Sequence, residues 1–442
     1  MTIKQEKIVN VNTPALDVST SPAVGAPDYR RVLKGEVYVV SEFPNKDSLH
    51  REVFAAFLGA IERVAGPALA ERASREGVER LHEFMRPADF AMVVDGFRDD
   101  LAASYTLYRF AAEFSRDVLG VRSEIWIDGR LVPRIYPPQT TVLAHCAELQ
   151  AFSGYLDVHG PHVESWFGHS RDEINLWYAI GNVTEGNGLI IYKDAFKQPL
   201  RHDANRYLAR GQKIGRPYVY TLSPGGVLVF AGEHLHASHI NVTQETRVVV
   251  TIRLSGDPPG LSKRSKWSGW YRSSTILHSD PRRFQAMRKG RLIRESRAIY
   301  RFLARFYKLQ RFKIRARGRR QTPGVQPGAY AGDSGQGSEP SVRLGPLGNF
   351  PPGSSVSVHT SRGILSVFNS GGALFIIDDR CPHRGASLAD GWCEGKVVIC
   401  PWHGLRFDLS TGRCVNFSTL QIRAYQPLVK DHTLFVGPPI HS

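Results

Sequence analysis

Two short stretches near the C-terminus carry donors at a spacing that can hold metal. CPHRG (residues 381–385) and CPWHG (residues 400–404) place Cys381-x-His383 sixteen residues ahead of Cys400-x-x-His403. Each pair offers one thiolate and one imidazole. That suits a [2Fe–2S] centre with both cysteines on one iron and both histidines on the other. Pro382, Gly385, Pro401 and Gly404 supply the tight turns such loops need. The same four donors also suit a tetrahedral zinc ion. Cys393 and Cys414 fall outside the spacing and are expected to be ordinary core or surface thiols.

A second donor set lies upstream. In HVESWFGHSRDEINLWYAI (residues 162–180), alternation along a strand puts His162 and Glu164 on one face. They supply two ligands of a 2-His-1-carboxylate iron site, which leaves positions open for oxygen and an organic co-substrate. GEHLHASHINVTQETRVVVTIRL (residues 232–254) offers the third from His234, His236 or His239. Within RVVVTIR, alternation sets Arg247, Val249, Thr251 and Arg253 on one face, with Val248, Val250 and Ile252 on the other. An inward-pointing arginine is costly without an anionic partner. A dicarboxylate such as 2-oxoglutarate would provide one by bidentate pairing.

The C-terminal stretch, with LFIIDDR before it and GLRFDLSTG after it, resembles the Rieske family over about 100 residues. In respiratory-complex members each loop carries a further cysteine; the matching positions here are Ala386 and Trp402. The domain therefore resembles the ferredoxin and oxygenase type. The upstream segments resemble the phytanoyl-CoA dioxygenase superfamily of Fe(II)/2-oxoglutarate oxygenases, most of all its bacterial members that tailor natural products. The resemblance covers roughly residues 120–255. It rests on His162, Glu164, Trp166, Gly168, His169, Asn175 and Trp177, then His236, Ser238, Asn241, Thr246 and Arg247. It implies iron on His162, Glu164 and His236, with Arg247, Asn175, Thr251 and Ser238 around the co-substrate. Family members mostly carry Asp where Glu164 stands. A retained carboxylate sets the site apart from halogenases, where a small residue replaces it. His234 is expected to act beside the ligands or on substrate, and His159 and His169 as structural or pocket residues.

The elements that must position these residues follow from texture. Residues 1–30 read as a flexible tail. Val53, Phe54, Phe57, Leu58, Ile61 and Val64 recur at helical spacing from about Leu49, and more helix follows to about residue 118. EIWIDGRLVPRIYPP, INLWYAI, GLIIYKD, YVYTLSPGGVLVFAG and TRVVVTIRL then read as strands. The expected fold is mainly β with α. It comprises a double-stranded β-helix (jelly-roll, cupin-like) over residues 31–255 with flanking helices, a basic helical segment at 256–320, a Gly- and Pro-rich linker at 321–340, and a small all-β Rieske domain at 341–442.

Residues 261–320 hold 20 of the 57 Lys and Arg but only Asp280 and Glu295 as acids. The segment reads as an amphipathic helix (281–316) or as a docking surface for an acidic electron donor, and no motif points to nucleic acid. No apolar run approaches the roughly 20 residues of a membrane span. The N-terminus lacks the apolar core of a secretory signal. Five cysteines are too few for a disulfide scaffold. A cytoplasmic setting is expected.

The implied activity is a dioxygenase that uses O2 and 2-oxoglutarate to hydroxylate, desaturate or cyclise a small organic substrate in bacterial natural-product biosynthesis. A Rieske cluster would keep the iron Fe(II), fed by a reductase or ferredoxin. One alternative is a reductase-driven Rieske-type oxygenase that does not consume 2-oxoglutarate. Another is a non-catalytic electron carrier or redox sensor.

Overall fold

The computed structural model describes residues 17–18, 26–145, 158–209, 211–212, 214–258, 269–294, 342–417 and 420–440. The described residues up to His278 and from Val342 onward form one compact unit; those from Ser279 to Arg294 belong to a second. The first unit mixes helices with two sheets and carries an all-β domain at its C-terminal end.

Leu49, Val53, Phe57 and Ile61 follow one another at four-residue spacing and are all buried, which fixes the helix Lys46–Ala65. Gly66 (φ 93°) ends it and Pro67 starts the next helix, Pro67–Glu76. The helices Pro87–Ala103 and Tyr105–Asp117 complete the layer, with Ser104 capping the latter through Leu107 N. Within the expected N-terminal tail, Asp17–Val18 pairs in parallel with Tyr218–Val219, and the helix Tyr29–Leu33 begins behind an Asp28 cap.

The larger sheet runs Trp270–Arg272, Trp126–Asp128, Arg247–Ser255, Glu173–Ala179, Val227–Ala231, Tyr38–Val40, with Val132–Tyr136 also on Arg247–Ser255. Trp270–Arg272 thus adds an edge beyond the expected domain end at residue 255. The smaller sheet runs Asp17–Val18, Tyr218–Val219, Leu189–Tyr192, Leu235–Ser238. Trp177, Phe230 and Val249 of the larger sheet meet Leu189 and Ile191 of the smaller one in a shared core, so the two sheets face each other. Side-chain alternation then aims Ile190, Tyr192, Leu235 and Ala237 at the opposite side of the smaller sheet.

The C-terminal domain is a six-stranded sheet, Val342–Pro346, Thr433–Pro439, Ala424–Lys430, Ala373–Asp378, Gly363–Ser370, Ser355–Thr360, plus a three-stranded sheet, Trp392–Glu394, Val397–Ile399, Arg406–Asp408. It packs on the outer side of the smaller sheet. Ile399 joins the cluster of Ile190, Tyr192 and Leu235, while Ile240 and Val242 join Cys381, Cys400 and Leu405. Pro281–Arg294 is helical; the rest of the expected basic helix, the linker and Cys146 lie outside the described residues. No helix among the described residues is long and apolar enough to cross a membrane.

Candidate metal centres

His162 and Glu164 do not lie on a strand. His162 makes an isolated antiparallel bridge to His236, and Glu164 opens the 3-10 turn Glu164–Phe167. The amides of His162 and His236 each donate to the other's carbonyl at 3.0 Å, and Glu164 N donates to Gly232 O at 2.9 Å. The chain is extended through Val163 (φ −112°, ψ 149°), so both side chains still project to one side while Val163 packs in the core behind. Gly168 (φ 89°) closes the turn in the left-handed region, where a side chain would be strained.

The donor atoms of His162, Glu164 and His236 lie within 4.8 Å of one another. Each histidine keeps one nitrogen on a backbone carbonyl: His162 Nδ1 on Gly160 O at 2.8 Å, and His236 Nδ1 on His234 O at 2.9 Å. That fixes the tautomer and leaves Nε2 toward the common centre. Burial pushes His236 down to about 3, so the imidazole is neutral and able to ligate. Burial alone would raise the Glu164 carboxyl. Arg253, followed by His169, His236 and His162, outweighs burial and holds it well below the usual carboxylate range.

Arg253 comes from the strand Arg247–Ser255, and its Nη2 lies 3.2 Å from both Glu164 oxygens. Its Nη1 lies 3.8 Å from Asp128 Oδ2, and Asp128 is itself buried. Arg253 is therefore committed to acids. Arg247 is not. It is 1% exposed, donates through Nη1 to the carbonyls of Asn187 and Gly188, and lies over the rings of Tyr136 (4.3 Å) and Trp177 (5.3 Å). It has no carboxylate partner among the described residues, and its Nε lacks a hydrogen bond there. Burial pushes it down to about 9, still protonated at neutral pH.

Arg247, Asn175, Ser238 and Thr251 line one cavity together with His162, Glu164 and His236. Both polar atoms of the Asn175 side chain are buried there without a hydrogen bond among the described residues. Three donors of the right type, an unpaired buried cation and an orphaned amide in one cavity fit an iron ion with an anionic chelating co-substrate. Asn241 works one step back. It donates to Tyr136 O and Glu245 O and accepts from Thr243, holding the turn that delivers Arg247.

Arg134 and Tyr207 carried no signal in the sequence. Arg134 Nη1 lies 3.0 Å from His159 Nε2, and both residues line the cavity; the His159 Nδ1 is 3.2 Å from the Tyr207 hydroxyl. His234, expected beside the ligands or on substrate, instead faces away from the cavity, held between Ala231 O and Gly35 O and stacked on Phe196. His239 lies at the contact with the C-terminal domain, where a Cβ on Gly404 would come within 2.7 Å of its Nε2. His169 pairs with Glu173 at 2.9 Å.

The second donor set sits on two matching loops. Cys381 N donates to Ala386 O (2.9 Å) and Gly385 N to Cys381 O (2.7 Å). Cys400 N donates to Leu405 O (2.7 Å) and Gly404 N to Cys400 O (3.1 Å). Gly385 (φ 73°) and Gly404 (φ 74°) make these turns possible. The rings of His383 and His403 are 4.7 Å apart, and the buried thiols of Cys381 and Cys400 share a hydrogen bond. That bond, ahead of burial, pushes the Cys381 thiol up. Burial would raise Cys400 too, but the bond from Cys381 together with the backbone amides of Trp402 and His403 outweighs it and draws Cys400 down. His403 Nε2 is buried without a hydrogen bond among the described residues. Two adjacent thiols and two adjacent imidazoles on tight loops fit a [2Fe–2S] cluster. Asp379 braces the first loop: its Oδ1 accepts from Ser366 Oγ (2.6 Å), Ser387 Oγ (2.8 Å), Ser357 Oγ (3.1 Å) and Ala389 N (3.2 Å).

Residues 341–426 match the family model of the Rieske [2Fe-2S] domain. Over 96 residues the chain is 31% identical to the ferredoxin subunit of the 3-phenylpropionate/cinnamic acid dioxygenase of Shigella boydii, a match to 21% of this chain and 90% of that protein. The Escherichia coli protein of the same description matches at the same identity and coverage. Among solved structures, a ferredoxin of Sphingomonas yanoikuyae is 30% identical, with 23% of this chain and 100% of that chain covered and a TM-score of 0.22.

Proposed function

Because the chain belongs, through residues 341–426, to the Rieske [2Fe–2S] domain family, we propose that it is a non-haem iron oxygenase with its own electron-carrying domain. Residues 31–278 are then a double-stranded β-helix of the phytanoyl-CoA dioxygenase type, with the facing sheets enclosing the site. His162, Glu164 and His236 would hold Fe(II), and Cys381, His383, Cys400 and His403 the cluster. One observation carries the reading: the buried, acid-free Arg247 guanidinium opens into the same cavity as the three ligands.

Bound there, iron supplies activation of O2 coupled to conversion of 2-oxoglutarate to succinate and carbon dioxide, with hydroxylation of a small organic substrate as the outcome. The protein's own part is binding and orientation. Arg247 takes the distal carboxylate of the dicarboxylate, held in place by two carbonyls and two aromatic faces. Asn175, Ser238 and Thr251 offer polar contacts around it. Arg253 keeps Glu164 ionised and turned toward the histidines. The core shared by the two sheets keeps bulk water from the floor of the site.

A 2-oxoglutarate cycle supplies its own two electrons, so a cluster held by Cys381, His383, Cys400 and His403 would supply single electrons to keep the iron Fe(II), with an external reductase or ferredoxin as donor. The packing of the C-terminal domain on the sheet that bears His236 also favours a second reading, in which the cluster drives turnover and 2-oxoglutarate is spared. Measuring succinate formed per O2 consumed separates them. Stoichiometric succinate supports the first reading; O2 consumption that needs a reductase and proceeds without 2-oxoglutarate supports the second and overturns the first.

A further inference from the structure

The two donor sets are joined by a short stretch of main chain. Leu235–Ser238 carries His236 on the side facing the cavity. Its continuation, His239 and Ile240, runs directly into the second cluster loop. Ile240 N donates to the carbonyl of His403 at 3.2 Å. The His239 ring fills the space beside Gly404, which has no room for a side chain. The Tyr192 hydroxyl, on the neighbouring strand, donates to Pro401 O, and Gly211 N donates to Asp390 Oδ2 at 2.8 Å. Ile240 lies in the same buried cluster as Cys381, Cys400 and Leu405.

We propose that an electron leaves the cluster through His403 and crosses the His403 O···H–N Ile240 hydrogen bond. It then follows the chain back through Ser238 to His236, so that each cluster serves the iron site of its own chain. The step is one electron: the reduced cluster is oxidised and Fe(III) at His162, Glu164 and His236 becomes Fe(II), with dithionite or a reductase refilling the cluster. His239 is a positioning residue. Its ring, packed against Gly404, holds the second loop at hydrogen-bonding distance from Ile240. This route rests on the iron site proposed above.

The test uses the full chain loaded with cluster and iron, both oxidised, then given one electron per chain anaerobically. Cluster reoxidation is followed by visible absorbance and EPR. The route predicts a first-order decay whose rate is independent of protein concentration. His239→Ala should slow it by between about tenfold and about a hundredfold, the scale of an ångström-level displacement. Cluster potential, EPR spectrum and iron count should stay unchanged, and His239→Phe, which refills the space, should restore the rate. A rate that rises with protein concentration, an unchanged rate in His239→Ala, or a Phe variant as slow as Ala overturns the route while leaving the iron site standing. Hydrogen exchange reads the same contact without mononuclear iron: the Ile240 amide should be protected in the wild type and exposed in His239→Ala, and an unprotected wild-type amide also overturns it.

Discussion

Arg253 sets its Nη2 at 3.2 Å from each carboxylate oxygen of Glu164, and both residues are buried. The pair pins the Glu164 side chain with a cation from the strand Arg247–Ser255. Replacing Arg253 with Gln removes the charge that keeps Glu164 ionised. Iron affinity should fall by about 10- to 100-fold, as for other partners standing behind metal ligands. Iron titration by calorimetry checks this, with cluster content as the control.

Arg247 is expected to act on the co-substrate and not on the metal. Arg247→Gln should leave iron binding intact and weaken 2-oxoglutarate by about 10- to 100-fold, the value of a charged hydrogen-bonded pair. Arg247→Lys should rescue little, because a lysine cannot both fork to Asn187 O and Gly188 O and stack between Tyr136 and Trp177. The dissociation constant for 2-oxoglutarate in each variant decides it.

Asp379 gathers three hydroxyls and one amide at a single oxygen beside the first cluster loop. Asp379→Ala leaves the buried donors of Ser366, Ser387 and Ala389 unpaired and should cost about 3 kcal/mol or more. Asp379→Asn keeps an acceptor and should cost less. Thermal melts give the stability, and sulfide per chain shows whether the loop still retains its cluster.

Cys414 is buried and its thiol is pushed up to about 11 by burial. As pH rises from 7 to 9 it stays protonated, because its folded pKa lies above that window, and alkylation stays slow. Cys393 is only half-buried and should label before Cys414. Residue-resolved mass spectrometry after timed alkylation of the cluster-loaded chain tests the order.

What the sequence made legible was local. Cys381-x-His383 and Cys400-x-x-His403 each fit within one turn, so spacing alone brought their donors together. RVVVTIR read correctly as a strand because alternation needs only neighbours, and Arg247, Thr251 and Arg253 line one cavity as that alternation requires. The HVE segment misled. It is extended without being a strand, because His162 bridges only His236 before the chain turns at Glu164. The Arg253–Glu164 pair spans 89 positions, a separation that no local pattern records. The packing of the C-terminal domain rests on Ile240, Val242, His239 and Ile399, whose apolar or polar character gave no hint of what they meet.

The most direct test of the central claim is an iron and sulfide count on the anaerobically reconstituted chain. The chain should hold about three iron atoms, two with sulfide in the cluster and one outside it. His236→Ala should lose only the third iron, and Cys400→Ser only the cluster pair. A wild-type chain that binds no iron beyond the cluster, or a third iron that survives the loss of His236, would contradict it.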